Sequence, residues 1–303
     1  MLITPRPTTS VDNLIQSLES VHRDAFNLRA GGGGGDAFSR LMKYLEWAGT
    51  SARMLGGQIS EKDLGALVLT RRYESLLTSF GWMASTSQPV QRVVNDVVSL
   101  ELNERVDDLA AAIASLKAAK EHWASVDDLV VLDTNFYLVH PDELKDTDLA
   151  QLTARLTPGW AMHVLVPMLV VDELDRLKRD HQARSRARTS LKMLNEVFAH
   201  VSKDQPAGRL RAADDTIQPG GNLGLGPITM ELLFDPPGHT RLPDNDDEII
   251  DRALAVQNLA GRPVTMVTYD QGMSFRARYA GLKEMWLPHP PDPQPTPPAR
   301  NAP

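Results

Sequence analysis

Two short segments of this chain share one design, an apolar run that stops at an aspartate. Leu129-Val130-Val131-Leu132 is followed by Asp133, and Val264-Thr265-Met266-Val267-Thr268 is followed by Tyr269-Asp270. Runs with little polar alternation mark strands buried on both faces, which occur in parallel sheets covered by helices. His163-Val164-Leu165-Val166, closed by Pro167, is a third such run, and Ile228 to Phe234 reads as a fourth. Helical periodicity lies between them. It runs from Met168 to about His200 (Leu169, Val170, Leu174, Leu177, Leu191, Leu194, Val197) and again from Glu248 to Ala260. Strands alternating with helices predict an α/β domain with a mostly parallel sheet from about residue 126. The Gly-, Pro- and Asp-rich segment 203–227 reads as a long loop.

Residues 1–125 have a different grammar. Leu14, Leu18, Val21 and Phe26 recur near a 3.6-residue period. A second stretch runs from Asp36 through Phe38, Leu41, Met42, Leu45 and Trp47, and a third covers 62–83. A fourth runs from about Val90 to Trp123, with Val93, Val97, Leu100, Val106, Leu109, Ile113 and Leu116 on one side. Four amphipathic segments predict an all-α helical domain. The breaks are the glycine run 31–35, Gly56-Gly57 and the cluster 85–89. The glycine run is not a phosphate loop, because no Gly-Lys-Ser/Thr follows and no strand precedes it. The predicted order is 1–125 helical, 126–288 α/β, and 289–303 a proline-rich tail expected to be disordered.

Composition narrows the chemistry. The chain has no cysteine, which excludes disulfides, a thiolate zinc site and a Cys nucleophile, and fits a cytoplasmic protein. No apolar run approaches the ~18–20 residues of a membrane span, and the first 25 residues do not read as a secretion signal. The formal net charge is −7, and residues 126–303 carry 19 basic against 25 acidic side chains. A net acidic chain is no obvious polyanion binder. Its carboxylates matter if they converge.

Asp133 and Asp270 close two strands of the same character, and ligands of open parallel sheets bind beyond the carboxyl ends of the strands. In VVDELDRLKRD, Asp172 and Asp175 precede Arg176 and Arg179 by four residues and read as solvated pairs. Glu173 shares a face with Leu169, Val170 and Leu177, and needs a partner there, either a metal or a structural arginine or cap. In DNDDEIID, acids at a helix start are commonly caps. Yet Asp246 stands three residues before Ile249 and seven before Ala253, on the apolar stripe, with Asp247 as the alternative register. Four acids on four elements is a pattern for Mg²⁺ or Mn²⁺ and phosphoryl chemistry, because hard cations take oxygen ligands. No Gly-x-Ser-x-Gly elbow and no His-Glu-x-x-His motif competes with it.

The segments VVLDTN, VPMLVVDELDRLK, DNDDEIIDRALAV and VTMVTYDQGMSFRARYAGL resemble, in order and spacing, the PIN domain over residues 126–288. The resemblance implies a three-layer α/β/α fold and a metal-dependent nuclease, mostly acting on RNA and leaving a 5′-phosphate and a 3′-hydroxyl. It implies that Asp133, Glu173, Asp246 (or Asp247) and Asp270 are the metal-holding acids, with Thr134, Asn135 and Thr268 in support. The insertion around 203–243 departs from the pattern.

Arg176, Lys178, Arg179, Arg184 and Arg186, with Arg276 beyond Asp270, form the expected RNA-facing surface beside that acidic cluster; a solvated helix face is the plainer reading. Phe136, Tyr137 and Tyr269 are candidates for stacking on a base, or for packing. The leading expectation is an endoribonuclease of single-stranded RNA. The alternatives are an RNA- or protein-binding module with a vestigial site and, lower, a nuclease of structured DNA. The helical third is expected to serve a partner, self-association or a lid.

Overall fold

The computed structural model describes residues 3, 5–6, 9–31, 36–83, 87–153, 160–202, 204–213, 224–236 and 239–290. Most of the glycine run, part of the 85–89 cluster and most of the proline-rich tail lie outside these residues. Contacts divide the chain into two compact units, Met1–Ser125 with Ala255–Arg262, and Val126–Leu254 with Pro263–Pro303. No helix among the described residues is long and apolar enough to cross a membrane.

The first unit contains α1 (Val11–Ala30), α2 (Ala37–Leu55), α3 (Glu61–Leu67), α4 (Arg71–Met83) and α5 (Gln88–Ser125). The predicted third segment is therefore two helices. Ser60 Oγ accepts from the Asp63 amide at 3.1 Å, and Thr70 Oγ1 accepts from the Tyr73 amide at 3.1 Å. Each hydroxyl satisfies an amide that a helix start leaves open, so a second start is specified within the segment. Phe26 is exposed and the small Ala25 is buried in its place.

The buried face of α5 also differs from the expected one. Val93 and Leu100 are 62% and 50% exposed, whereas Val94, Val98, Leu102, Leu109 and Leu116 are buried. The true stripe contains Glu101 and Arg105, charged residues that an apolar count passes over. Glu101 is fully buried and accepts from Tyr44 Oη (3.2 Å), Thr70 Oγ1 (2.8 Å), Arg72 Nη1 (2.5 Å) and Arg105 Nη1 (3.1 Å). A buried charge is tolerated when it is paired and hydrogen-bonded in this way.

The second unit is built on β1 (Asp128–Leu132), α6 (Thr134–Val139), a short 3₁₀ turn at Leu144–Asp146, α7 (Leu149–Leu152), β2 (Met162–Pro167) and α8 (Met168–Leu177). It continues with α9 (Arg184–Phe198), β3 (Ala207–Arg211), β4 (Ile228–Leu233), α10 (Asn245–Ala260), β5 (Thr265–Thr268), α11 (Gln271–Ala280) and β6 (Lys283–Trp286). The single helical stretch expected over 168–200 is broken at 178–183. There the Asp180 carboxylate takes the amides of Gln182 (2.8 Å) and Ala183 (3.2 Å), a local turn that competes with helix continuation.

The six strands lie in the order β3-β4-β2-β1-β5-β6, parallel except for β3 against β4. β2 and β5 are buried throughout, as their runs predict. β3 corrects the expectation of a loop over 203–227. Its sequence AGRLR carries no strand pattern, and its pairing with β4 makes it a polar edge strand. Gly208 is required in it, because a Cβ there would lie 2.3 Å from the Val197 carbonyl oxygen on α9. The sheet grows from β1 through β2 and β4 on one side, then β5 and β6 are laid on the other. The reversal falls between β1 and β5, where open α/β sheets form their ligand crevice.

Candidate metal centre

Leu132 pairs with Val267, so the ends of β1 and β5 reach the crevice together. Asp133 follows β1 and caps α6, its Oδ1 accepting the Phe136 amide at 2.8 Å. Its Oδ2 accepts the Thr268 hydroxyl at 2.5 Å. That same Oγ1 accepts the Asp270 amide at 2.8 Å, so one threonine ties the two strand-end acids. Asp270 caps α11 through the Met273 amide (3.0 Å). A Cβ on Gly272 would stand 3.1 Å from Asp270 Oδ1, so a glycine there leaves that oxygen open.

Glu173 arrives from α8, half-buried. Its two oxygens are held separately, Oε2 by the Thr134 hydroxyl and Oε1 by Asn245 Nδ2 at 2.6 Å. Asp246 lies in the first turn of α10, half-buried, while its neighbour Asp247 is exposed and bonded to Arg276 at 2.9 Å. Asn135 is half-buried and makes no side-chain hydrogen bond among the described residues. Nothing in the local pattern selects Asn245. It stands within the acid run, between Asp244 and Asp246, and only the fold brings it to Glu173.

The electrostatics show that these acids sense one another. Burial pushes the Asp133 carboxyl up to about 6, with Asp246 and Asp270 adding to the rise, against the pull of Thr268 and the Phe136 amide. Asp246 is also pushed up, by burial first, then by Asp244, Asp270 and Glu173, against the pull of Arg276. Neighbouring acids are neutralised. Asp172 pairs with Arg241 (2.6 Å), Asp175 with Lys178, and Asp244 with Arg276 (2.8 Å). Asp172 and Asp175 thus do not use the arginines four residues on. Asp133, Glu173, Asp246 and Asp270 have no lysine or arginine partner among the described residues.

The expected cationic surface is mixed. Arg179 and Arg184 are exposed without an ion pair among the described residues, and Arg176 is exposed with Nε 3.4 Å from the Asp172 carbonyl. Lys178 is paired, Arg186 donates to the Pro141 carbonyl (3.0 Å), and Arg276 is shared by Asp244 and Asp247. The aromatics named for stacking are buried. Phe136 stacks on His140 with centroids 4.5 Å apart, and Tyr269 Oη meets His140 Nδ1 at 2.7 Å. Tyr137 is also buried, so all three are packing residues.

A family model described as the PIN domain matches residues 130–285. The chain belongs to the PIN domain family. No curated protein and no solved structure matches it. PIN domains are generally nucleases and typically use divalent metals. The matched segment carries Asp133, Glu173, Asp246 and Asp270, the whole of β2 to β5 and most of β1 and β6.

The donor chemistry of this PIN domain fits such an ion. The four groups are carboxylates, without nitrogen or sulfur, and carry mutual repulsion that a divalent cation relieves. No three of them, among the described residues, bring ligand atoms within 4.8 Å of one another. Among the described residues, the ligand-type side chains gathered within 4.8 Å of one another are His239, Glu248 and Asp251. That tighter trio is already satisfied. Glu248 accepts from His239 Nε2 and the Leu242 amide at 2.8 Å each, and Arg252 lies against Glu248 and Asp251. The trio pins the 239–242 segment to α10.

Proposed function

We propose that this PIN domain is a metal-dependent endoribonuclease that hydrolyses phosphodiester bonds of single-stranded RNA, leaving a 5′-phosphate and a 3′-hydroxyl. The observation that carries the reading is the set of four carboxylates on four elements at the sheet's reversal point, none in an ion pair with a lysine or arginine among the described residues. Asp133, Glu173, Asp246 and Asp270 would hold Mg²⁺ or Mn²⁺. A bound ion of this kind supplies Lewis-acid stabilisation of the phosphodiester and a water acidic enough to attack near neutral pH. Thr268 fixes Asp133 through Oδ2 and the Asp270 backbone through its amide. Thr134 and Asn245 fix the two oxygens of Glu173. Asp133 is shut away from solvent, so its charge is weakly screened. The unpaired Arg179 and Arg184, with Arg176, give phosphates a way past the acidic cluster. The reading places the enzyme in the cytoplasm, with the helical unit as the surface for a protein partner or self-association.

Cleavage of single-stranded RNA of varied sequence with Mn²⁺ or Mg²⁺ tests the reading. Asp133→Asn should cost on the order of 10²-fold or more in rate. An inert wild type with both metals, or a variant that cuts equally well, would overturn it. That no three of the four acids, among the described residues, gather within 4.8 Å of one another favours a second reading, an RNA- or protein-binding module whose site is vestigial. Calorimetric titration of Mn²⁺ separates the two, since a vestigial site gives no heat that Asp270→Asn abolishes.

A further inference from the structure

Helix α11 starts at Asp270 and carries a stripe that the acidic site does not account for. Tyr279 is 96% exposed, Phe275 is 56% exposed, and the two are four residues apart on one helix face. Bare aromatic rings grouped on one face, in contrast to apolar residues scattered singly, are what contact surfaces present. The stripe runs outward from the site. By helix rise, Phe275 lies roughly 7 Å and Tyr279 roughly 13 Å along the axis from Asp270. The sides of the helix frame it. Ser274 and Arg278 both bond Glu284 of β6, Arg276 turns to Asp244 and Asp247, and Met273 and Ala277 face the core. Trp286, 47% exposed, shares the β6 face of Glu284 and sits opposite Thr268 at the carboxyl edge of the sheet.

We propose that Phe275, Tyr279 and Trp286 form a stacking track along which a single-stranded RNA leaves the carboxylate site, with Arg276 and Arg278 beside it for the phosphates. The inference rests on the nucleic-acid substrate proposed above and deepens it. Rings one helical turn apart suit successive unstacked bases, because every base has a face to stack. Arg276 is in exposed ion pairs, which are worth little and yield readily to a phosphate, and Arg278, itself 65% exposed, shares the half-buried Glu284 with Ser274. The track begins at an acid of the proposed site and is flanked by cations, features that a purely apolar protein-docking patch does not need. Stacking also answers how a chain of net charge −7 holds a polyanion, since it draws on ring contact instead of excess positive charge.

The test uses the full chain with Asp133→Asn, so that RNA stays intact, in metal-free buffer. The probe is a fluorescent oligouridylate of about twelve nucleotides, within the span such grooves cover, and the readout is anisotropy. Tyr279→Ala and Phe275→Ala should each weaken binding about ten-fold, and Tyr279→Trp should retain it. The ratio of variant to parent affinity should stay the same at low and high salt, because stacking releases no counterions. Size-exclusion chromatography with light scattering follows oligomeric state in parallel. No binding by the parent, equal binding by the double alanine variant, or a change of oligomeric state with RNA affinity untouched each overturns the proposal. The last outcome assigns the patch to contact with a second copy of this chain. The readout needs no cleavage, so the track stands or falls apart from the nuclease reading, which the metal and cleavage assays decide.

Discussion

At the scale of single residues, the acids of the crevice differ in what their surroundings do to them. Asp133 is 5% exposed, and its carboxyl titrates near 6 in the fold against about 4 when unfolded. A raised acid pKa means that the folded state binds a proton the unfolded state does not. The ionised form therefore costs stability above about pH 6, and stability returns as pH falls from 7 towards 4. The cost at pH 7 is on the order of 3 kcal/mol. Metal-free Asp133→Asn should melt above wild type at pH 7, with the gap closing near pH 4 by calorimetry. A gap that widens on acidification contradicts the sign. Asp246 and Asp247 offer a second comparison, since one is half-buried among acids and the other is exposed on Arg276. Asp246→Asn should cost on the order of 10²-fold in RNA cleavage, and Asp247→Asn less than about ten-fold. Matched losses would show that the register is not settled by burial.

At the scale of elements, buried charge in α5 organises the helical unit. Glu101 receives four donors, from α2, from Thr70 ahead of α4, from α4 and from its own helix. Glu101→Leu takes from Arg105, itself buried, its buried carboxylate partner and leaves it the exposed Asp108 at 2.6 Å, and should destabilise by about 3 kcal/mol. Adding Arg105→Met should recover much of that loss in urea unfolding. An unchanged midpoint in the single variant would mean that the network contributes nothing. The strands behave differently. β1, β2, β4 and β5 were legible because apolar runs answer to burial on two faces. β3 was not, because its residues become a strand only through β4.

At the scale of the molecule, fold and candidate site are one topological fact. The order β3-β4-β2-β1-β5-β6 puts the reversal between β1 and β5 and so sets Asp133 beside Thr268 and Asp270. The helices that follow β2 and β4 then deliver Glu173 and Asp246. An ion that binds only the folded chain stabilises it by mass action, by about 2.7 kcal/mol at a hundred times its Kd. Mn²⁺ should therefore raise the melting temperature of the wild type, a chelator should reverse the rise, and Asp133→Asn should blunt it. Equal shifts in both proteins would place the ion elsewhere.

The sequence alone determined the two grammars of the chain and put forward the four acids, because period and strand-end position are local properties that neighbouring residues express. It also supplied the family resemblance over the second half. Tertiary structure alone decided which acids stay unneutralised, that Asn245 meets Glu173, that Phe136, Tyr137 and Tyr269 are packing residues, and that Tyr279 stands bare. Each of these depends on what lies across space from a residue, and partners distant in the chain leave no mark on the local pattern.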